Sequence, residues 1–205
     1  EISDRFLQNL LPYFSFYPLE SEQSDIRKFL KINNELRREN HNTLSQLKDK
    51  TSPERLWDGV WLSHWNGQTM ARFADHRVYF YKGQRVDDKF HLGVDLASLS
   101  NAPVLASNNG KVLFADRLGI YGLAVVIDHG QGLASVYGHL SKIEVSPGQA
   151  VNKGEVIGLT GDTGLAGGDH LHFSVMLQGI FVNPVEWWDR HWIMDNVTKK
   201  LSLVE

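Results

Sequence analysis

The chain has 205 residues, 42% hydrophobic and 22% charged, the balance of a globular protein and not of a disordered one. The net charge of −3 gives no basis for a nucleic-acid partner, and no run approaches the roughly 18 apolar residues of a membrane span. Cysteine is absent, which excludes a disulfide framework and thiolate ligands and fits an oxidising envelope compartment.

The chain starts at Glu1 without Met, as expected of a fragment or of a processed form that has lost a signal peptide or anchor. Residues 2–11 set Ile2, Phe6, Leu7, Leu10 and Leu11 on one helical face, and Pro12 ends the run. Ser21 or Ser24 caps a longer helix reaching about Lys50. In it Ile26, Phe29, Leu36 and Leu47 keep a heptad-like spacing that Asn33 and Asn40 interrupt. Such a helix packs on its own domain, ends a longer coiled coil, or lies across a functional groove as a regulator. Thr51-Ser52-Pro53 is the seam that divides a helical segment, 1–52, from a second domain, 53–205.

Trp57, Trp61 and Trp65 are expected as a platform under the following sheet, the alternative being a wall for a peptide or sugar substrate. Residues 77–81 read as a strand with Lys82-Gly83 as its turn, and Arg72 and Arg77 are expected in surface pairs, with a substrate carboxylate as the alternative partner. From Pro103 onward the pattern is all β. Residues 104–106, 111–114, 123–127, 133–137 and 155–157 are short strands. Asn109-Gly110, residues 128–132, Pro147-Gly148 and Lys153-Gly154 are the turns between them. Ser135, Tyr137 and His139 would share a face as a cleft floor. Asn183-Pro184 closes this core, and a helix runs from Glu186 to about Leu201, with Trp187 and Trp188 as core or lid aromatics. The predicted architecture is mainly β, an antiparallel sheet or barrel-like sandwich, with a helical segment before it and a helix after it.

The chemistry lies in His91-Leu-Gly-Val-Asp95, Tyr137-Gly-His139-Leu140 and His170-Leu-His172. Alternation along a strand puts His170 and His172 on one face, and Leu171 and Phe173 on the other. Two imidazoles so placed pack poorly but coordinate well. Two histidines and a carboxylate with an open fourth position form a catalytic zinc set. His91, Asp95 and His172 would hold the ion, and His139 and His170 would work beside it. No His-Glu-x-x-His motif supplies a glutamate base, so proton handling falls to His139 and His170. His41, His64, His76 and His191 have no partner motif, and His129 falls in a hairpin turn. Asp169 either orients a ligand or lies on the loop surface, and Asp162 belongs to the turn 161–164.

These motifs resemble the M23 (LytM/lysostaphin-type) zinc metallopeptidases, which are peptidoglycan endopeptidases. So do residues 93–97, 106–112, 126–130, 151–158 and 161–164, and the similarity runs over roughly residues 70–190. In that family the metal ligands fall on the positions of His91, Asp95 and His172, and the catalytic histidines on His139 and His170. The resemblance implies a LytM-type β domain with one Zn2+ per chain. It implies hydrolysis of peptidoglycan crosslink peptides in the periplasm or cell envelope, with residues 1–52 serving an envelope anchor or a regulatory partner. Gly-Gly bridges and D-alanine–diaminopimelate crosslinks both remain as the cut bond, the second being preferred. One alternative is a non-hydrolytic or autoinhibited regulator that activates another wall hydrolase, against which the full ligand set speaks. Another is a lipoyl- or biotinyl-type carrier, suggested by the hairpin 147–158 but lacking an acceptor lysine.

Overall fold

Ser3 accepts a hydrogen bond from the Phe6 amide and starts α1 (Asp4–Leu10). Pro12 does not stop the chain's helical course. It sits in the first turn of a 3-10 helix (Leu11–Phe14), where a missing N–H costs nothing. The computed structural model describes residues 1–63, 68–97 and 99–203, and its next element is one rod over residues 25–50. The rod joins α2 (Asp25–Lys31), a π-helical segment (Ile32–Leu36), α3 (Arg37–Gln46) and a closing 3-10 turn (Leu47–Lys50).

The rod packs on its own chain. Phe29, Ile32, Leu36, Leu44 and Leu47 are buried together with Leu7 and Phe14 against Ala124, Val126, Val136 and Met176. Asn33 and Asn40 do not set the register of a second helix. Asn33 Nδ2 donates to Asp87 Oδ2 at 2.8 Å, and Asn40 Oδ1 accepts from the Ile120 amide at 2.8 Å. Both are buried groups satisfied within the chain.

The strands are β1 (Gln68–Ala71), β2 (His76–Tyr81), β3 (Gln84–Phe90), β4 (Val94–Ala97), β5 (Pro103–Leu105), β6 (Gly110–Arg117) and β7 (Leu123–Gly130). They continue with β8 (Leu133–Leu140), β9 (Lys142–Ile143), β10 (Ala150–Val151), β11 (Val156–Leu159), β12 (Leu171–Leu177) and β13 (Ile180–Val182). Every pairing among them is antiparallel. The main sheet runs β1-β4-β12-β8-β7-β6-β10 with β13 beside β12; β5-β11-β9 form a small sheet and β2-β3 a hairpin.

The sheet separates two apolar layers. One face meets the helical rod; the other carries Val94, Leu96, Tyr137, Phe173 and Val175 against Trp57, Trp61 and Trp187. Trp57 and Trp61 thus form the expected platform, while Trp65, like His64, lies outside the described residues. Trp188 stacks on Phe173 with ring centroids 5.6 Å apart. The C-terminal helix is broken where a single one was expected. A 3-10 turn (Pro184–Trp188) ends at Asp189, whose extended backbone and side chain cap α4 (Arg190–Ile193) before a π-helical turn and α5 (Lys199–Leu201).

His129 is not an exposed turn residue. It is the penultimate residue of β7 and lies inside the core, donating from Nδ1 to the Asn109 carbonyl at 2.7 Å and meeting Ser135 Oγ at 2.7 Å, with its ring 4.3 Å from that of Trp61. Burial outweighs the Asn109 bond and the charge of Asp128 and lowers its pKa to about 4. The folded state then binds fewer protons than the unfolded chain between about pH 6.5 and pH 4, so stability falls as pH drops through that window, by about 3 kcal/mol for this group. Denaturant unfolding should therefore show a lower midpoint at pH 4.5 than at pH 7, and His129→Gln should narrow the gap. An unchanged gap would assign the acid sensitivity to other groups.

Candidate metal centre

β12 lies between β4 and β8, with His172 opposite Asp95 on one side and opposite Gly138 on the other. Directly paired residues share a face, so the imidazole and the carboxylate stand side by side over a position that has no side chain. His91 enters from the turn before β4, where its amide donates to the Asp75 carbonyl at 2.9 Å and its own carbonyl accepts from the Ala74 amide at 2.8 Å. Gly93 permits this approach. A Cβ there would stand 2.5 Å from Ser174 Oγ and 2.7 Å from the His172 ring.

Three donor atoms converge. His91 Nε2 is 3.1 Å from His172 Nδ1 and 3.0 Å from Asp95 Oδ1, and His172 Nδ1 is 2.9 Å from the same oxygen. The edge of a tetrahedron with bonds of about 2.0 Å is about 3.3 Å, so this triangle has the size that zinc coordination asks of it.

The protons on the rings follow from their other partners. His91 Nδ1 faces the Arg72 carbonyl at 2.9 Å, which can only accept, so Nδ1 carries the hydrogen and Nε2 is free. Ser174 Oγ donates its one hydrogen to the Leu92 carbonyl at 2.8 Å and therefore accepts from His172 Nε2 at 2.9 Å. That leaves His172 Nδ1 free. Two lone pairs and a carboxylate oxygen crowded within hydrogen-bond distance make a site for a cation, and the residues present fit zinc.

His139 and His170 stand beside this triangle, with ring centroids 4.7 Å apart and His139 5.8 Å from His172. His139 Nδ1 donates to the Thr163 carbonyl and His170 Nδ1 to the Gly168 carbonyl, each at 2.8 Å. Each thus turns Nε2 away from its anchor. His170 Nε2 lies 3.6 Å from Asp95 Oδ1, on the same side as His172.

His139 does not share a floor with Ser135 and Tyr137. Leu133 and Tyr137 belong to the tryptophan-side core, and Ser135 bonds inside it to the Tyr137 hydroxyl. His139 has φ = +61°, a left-handed conformation that breaks the strand's alternation and brings its ring round to the His172 side.

Burial pushes against an ionised Asp95, but the surrounding polar groups of His170, His172 and His91 outweigh it and hold its pKa far below the usual carboxylate range. Burial lowers His172 to about 4 and takes His139 well below the ordinary histidine value, with the neighbouring His170 adding to the second effect. For His170, burial is outweighed by the neighbouring Asp95 carboxylate and the Gly168 carbonyl, and its pKa is raised.

Sequence pattern alone does not place several residues here. Arg77 pairs with a buried carboxylate and not with a surface one: its Nη2 donates to Asp95 Oδ2 at 2.5 Å. Asp169 orients no ligand among the described residues, since its Oδ2 accepts from the Asn101 amide at 3.0 Å and ties down that loop. His41 and Arg37, from α3, line a cavity of about 30 Å3 together with Tyr121, His91, His139 and His172. That volume holds a water or two and no peptide.

The sequence profile of peptidase family M23 matches residues 89–184. This stretch is an M23 peptidase domain. The M23 domain contains all five residues of the triangle and its two neighbouring histidines. It is 43% identical over 97 residues to the DD-carboxypeptidase/endopeptidase Mpg of Neisseria meningitidis, a match covering 47% of this chain and 22% of that protein. It is 39% identical over 98 residues to the murein hydrolase activator EnvC of Escherichia coli, covering 48% of this chain and 23% of that one. A zinc-containing peptidase from Vibrio cholerae superposes with a TM-score of 0.54 at 32% identity, over 66% of this chain and 40% of that one. The chain spans about a fifth of the length of the curated relatives it matches first.

Proposed function

We propose that this chain is a zinc-dependent endopeptidase that hydrolyses the peptide crosslinks of bacterial peptidoglycan in the periplasm or cell envelope. The observation that carries the proposal is the 2.9–3.1 Å triangle of His91 Nε2, Asp95 Oδ1 and His172 Nδ1, with ring protons fixed so that all three atoms offer lone pairs. When bound there, one Zn2+ per chain supplies Lewis acidity to the scissile carbonyl and to the attacking water. The remaining work belongs to the protein. His139, kept neutral by burial, accepts a proton at Nε2. His170, whose proton is favoured by Asp95, donates from Nε2 to the negative charge that develops on the substrate oxygen. The carbonyls of Thr163 and Gly168 hold both rings for this task. D-alanine–diaminopimelate crosslinks are the preferred substrate.

Purified sacculi digested with the protein should release crosslink-cleaved muropeptides, identified by mass. Chelator should stop the release and added Zn2+ should restore it. Cleavage that survives complete metal removal would refute the zinc mechanism.

A second reading is supported by α3. With Arg37 and His41 over the histidines and about 30 Å3 between, residues 1–52 close that side of the site to a peptide. On this reading they form a regulatory segment that holds the enzyme shut until an envelope partner draws it away. Removal of residues 1–52 would then raise the rate of muropeptide release.

A further inference from the structure

Arg77 lies on β2, outside the matched family segment, yet it reaches the centre of the site. Its Nη2 donates to Asp95 Oδ2 at 2.5 Å, while Asp95 Oδ1 faces His91 and His172 at 3.0 and 2.9 Å. The two carboxylate oxygens are thereby given separate partners. We propose that Arg77 is a positioning residue for the metal ligand Asp95. Its guanidinium fixes the rotation of the carboxylate so that only Oδ1 reaches the ion. The inference rests on the zinc reading above.

The hairpin that carries Arg77 is held by the N-terminal segment. Asn33 and Asn34 each donate to Asp87 Oδ2 at 2.8 Å, and Asp87 pairs with Tyr79, two residues along β2 from Arg77. Phe29 packs on the Tyr79 ring at 5.7 Å, and the Ile2 amide donates to the Phe80 carbonyl at 2.7 Å. The N-terminal segment thus packs on the β2–β3 hairpin from which Arg77 reaches Asp95.

One effect works the other way, since a guanidinium cation repels a dication. The Arg77 side chain is 39% exposed, so water and salt screen that repulsion. The hydrogen bond acts at contact and is not screened in this way. Loss of a hydrogen-bond partner to a metal ligand commonly costs about 10- to 100-fold in affinity.

The test uses the wild type, R77Q and R77K. Zn2+ affinity is measured by competition with a chromophoric chelator, and the visible absorption of the Co2+-loaded proteins reports coordination number. R77Q should bind Zn2+ about tenfold or more weakly. Its Co2+ bands should lose intensity as the freed Oδ2 joins as a fifth ligand. R77K, which keeps the charge without the planar fork, should fall between. Affinity for R77Q within twofold of the wild type, or tighter, would overturn the inference. So would weaker binding with unchanged Co2+ bands, which would point to charge or folding instead of orientation. If R77Q does not fold by circular dichroism, R77K decides by the same criteria. A wild type that takes up neither metal would refute the zinc site itself, a result distinct from failure of the Arg77 inference.

Discussion

Asp95→Ala should leave a protein that retains no zinc and releases muropeptides at least about a thousandfold more slowly, the equivalent of about 4 kcal/mol of lost transition-state stabilisation. Asp95 is the only anionic member of the converging set: its Oδ1 is within 3.6 Å of three imidazole nitrogens and its Oδ2 takes the Arg77 guanidinium. Without it, two neutral rings and an unpaired cation face the ion's position, and two nitrogen donors alone do not hold zinc against water. Asp95→Asn keeps the shape and one acceptor oxygen but not the charge, and should bind the metal more weakly than wild type while exceeding the alanine variant. Metal content after dialysis and muropeptide release by mass spectrometry provide the measurement. Full zinc occupancy in Asp95→Ala would remove the carboxylate from the coordination set.

His139→Ala and His170→Ala should behave in the opposite way with respect to metal. Neither residue belongs to the 2.9–3.1 Å triangle, so each variant should still take up one zinc ion. Turnover should nevertheless fall by about 10^2- to 10^4-fold, the usual contribution of a positioned acid or base. The proposed roles differ, since His139 must be neutral to accept a proton and His170 must be protonated to donate one. A variant that keeps both zinc and full turnover removes its residue from the mechanism, and one that loses zinc moves its residue into the ligand set.

Much of this centre can be read from the chain because strand alternation is a local rule. His170 and His172 are two residues apart, and their common face follows from that alone. The same period extends to Ser174, whose hydroxyl fixes the His172 tautomer, so that partner was within reach of the same argument. His139 shows where the rule ends. Its positive φ reverses the face that alternation assigns to it, and nothing in Tyr-Gly-His-Leu announces a left-handed histidine. β3 was missed because four of its seven residues are charged and it makes a two-stranded hairpin with little to bury. Arg77, Arg37 and His41 could not be placed by pattern. Their positions depend on how a hairpin and a helical rod dock, and docking is set by shape between parts far apart in sequence.

The two rings offer opposite nitrogens to the triangle, His91 its far atom and His172 its near one. The backbone of β12 accordingly runs closer to the triangle than the bend that carries His91. A cation bound there would be gripped by a long arm from one side and a short arm from the other. An amide could stand in for either only if its length matched, glutamine at the first position and asparagine at the second. Lengthening or shortening either arm alone would carry its donor atom past the ion or stop it short.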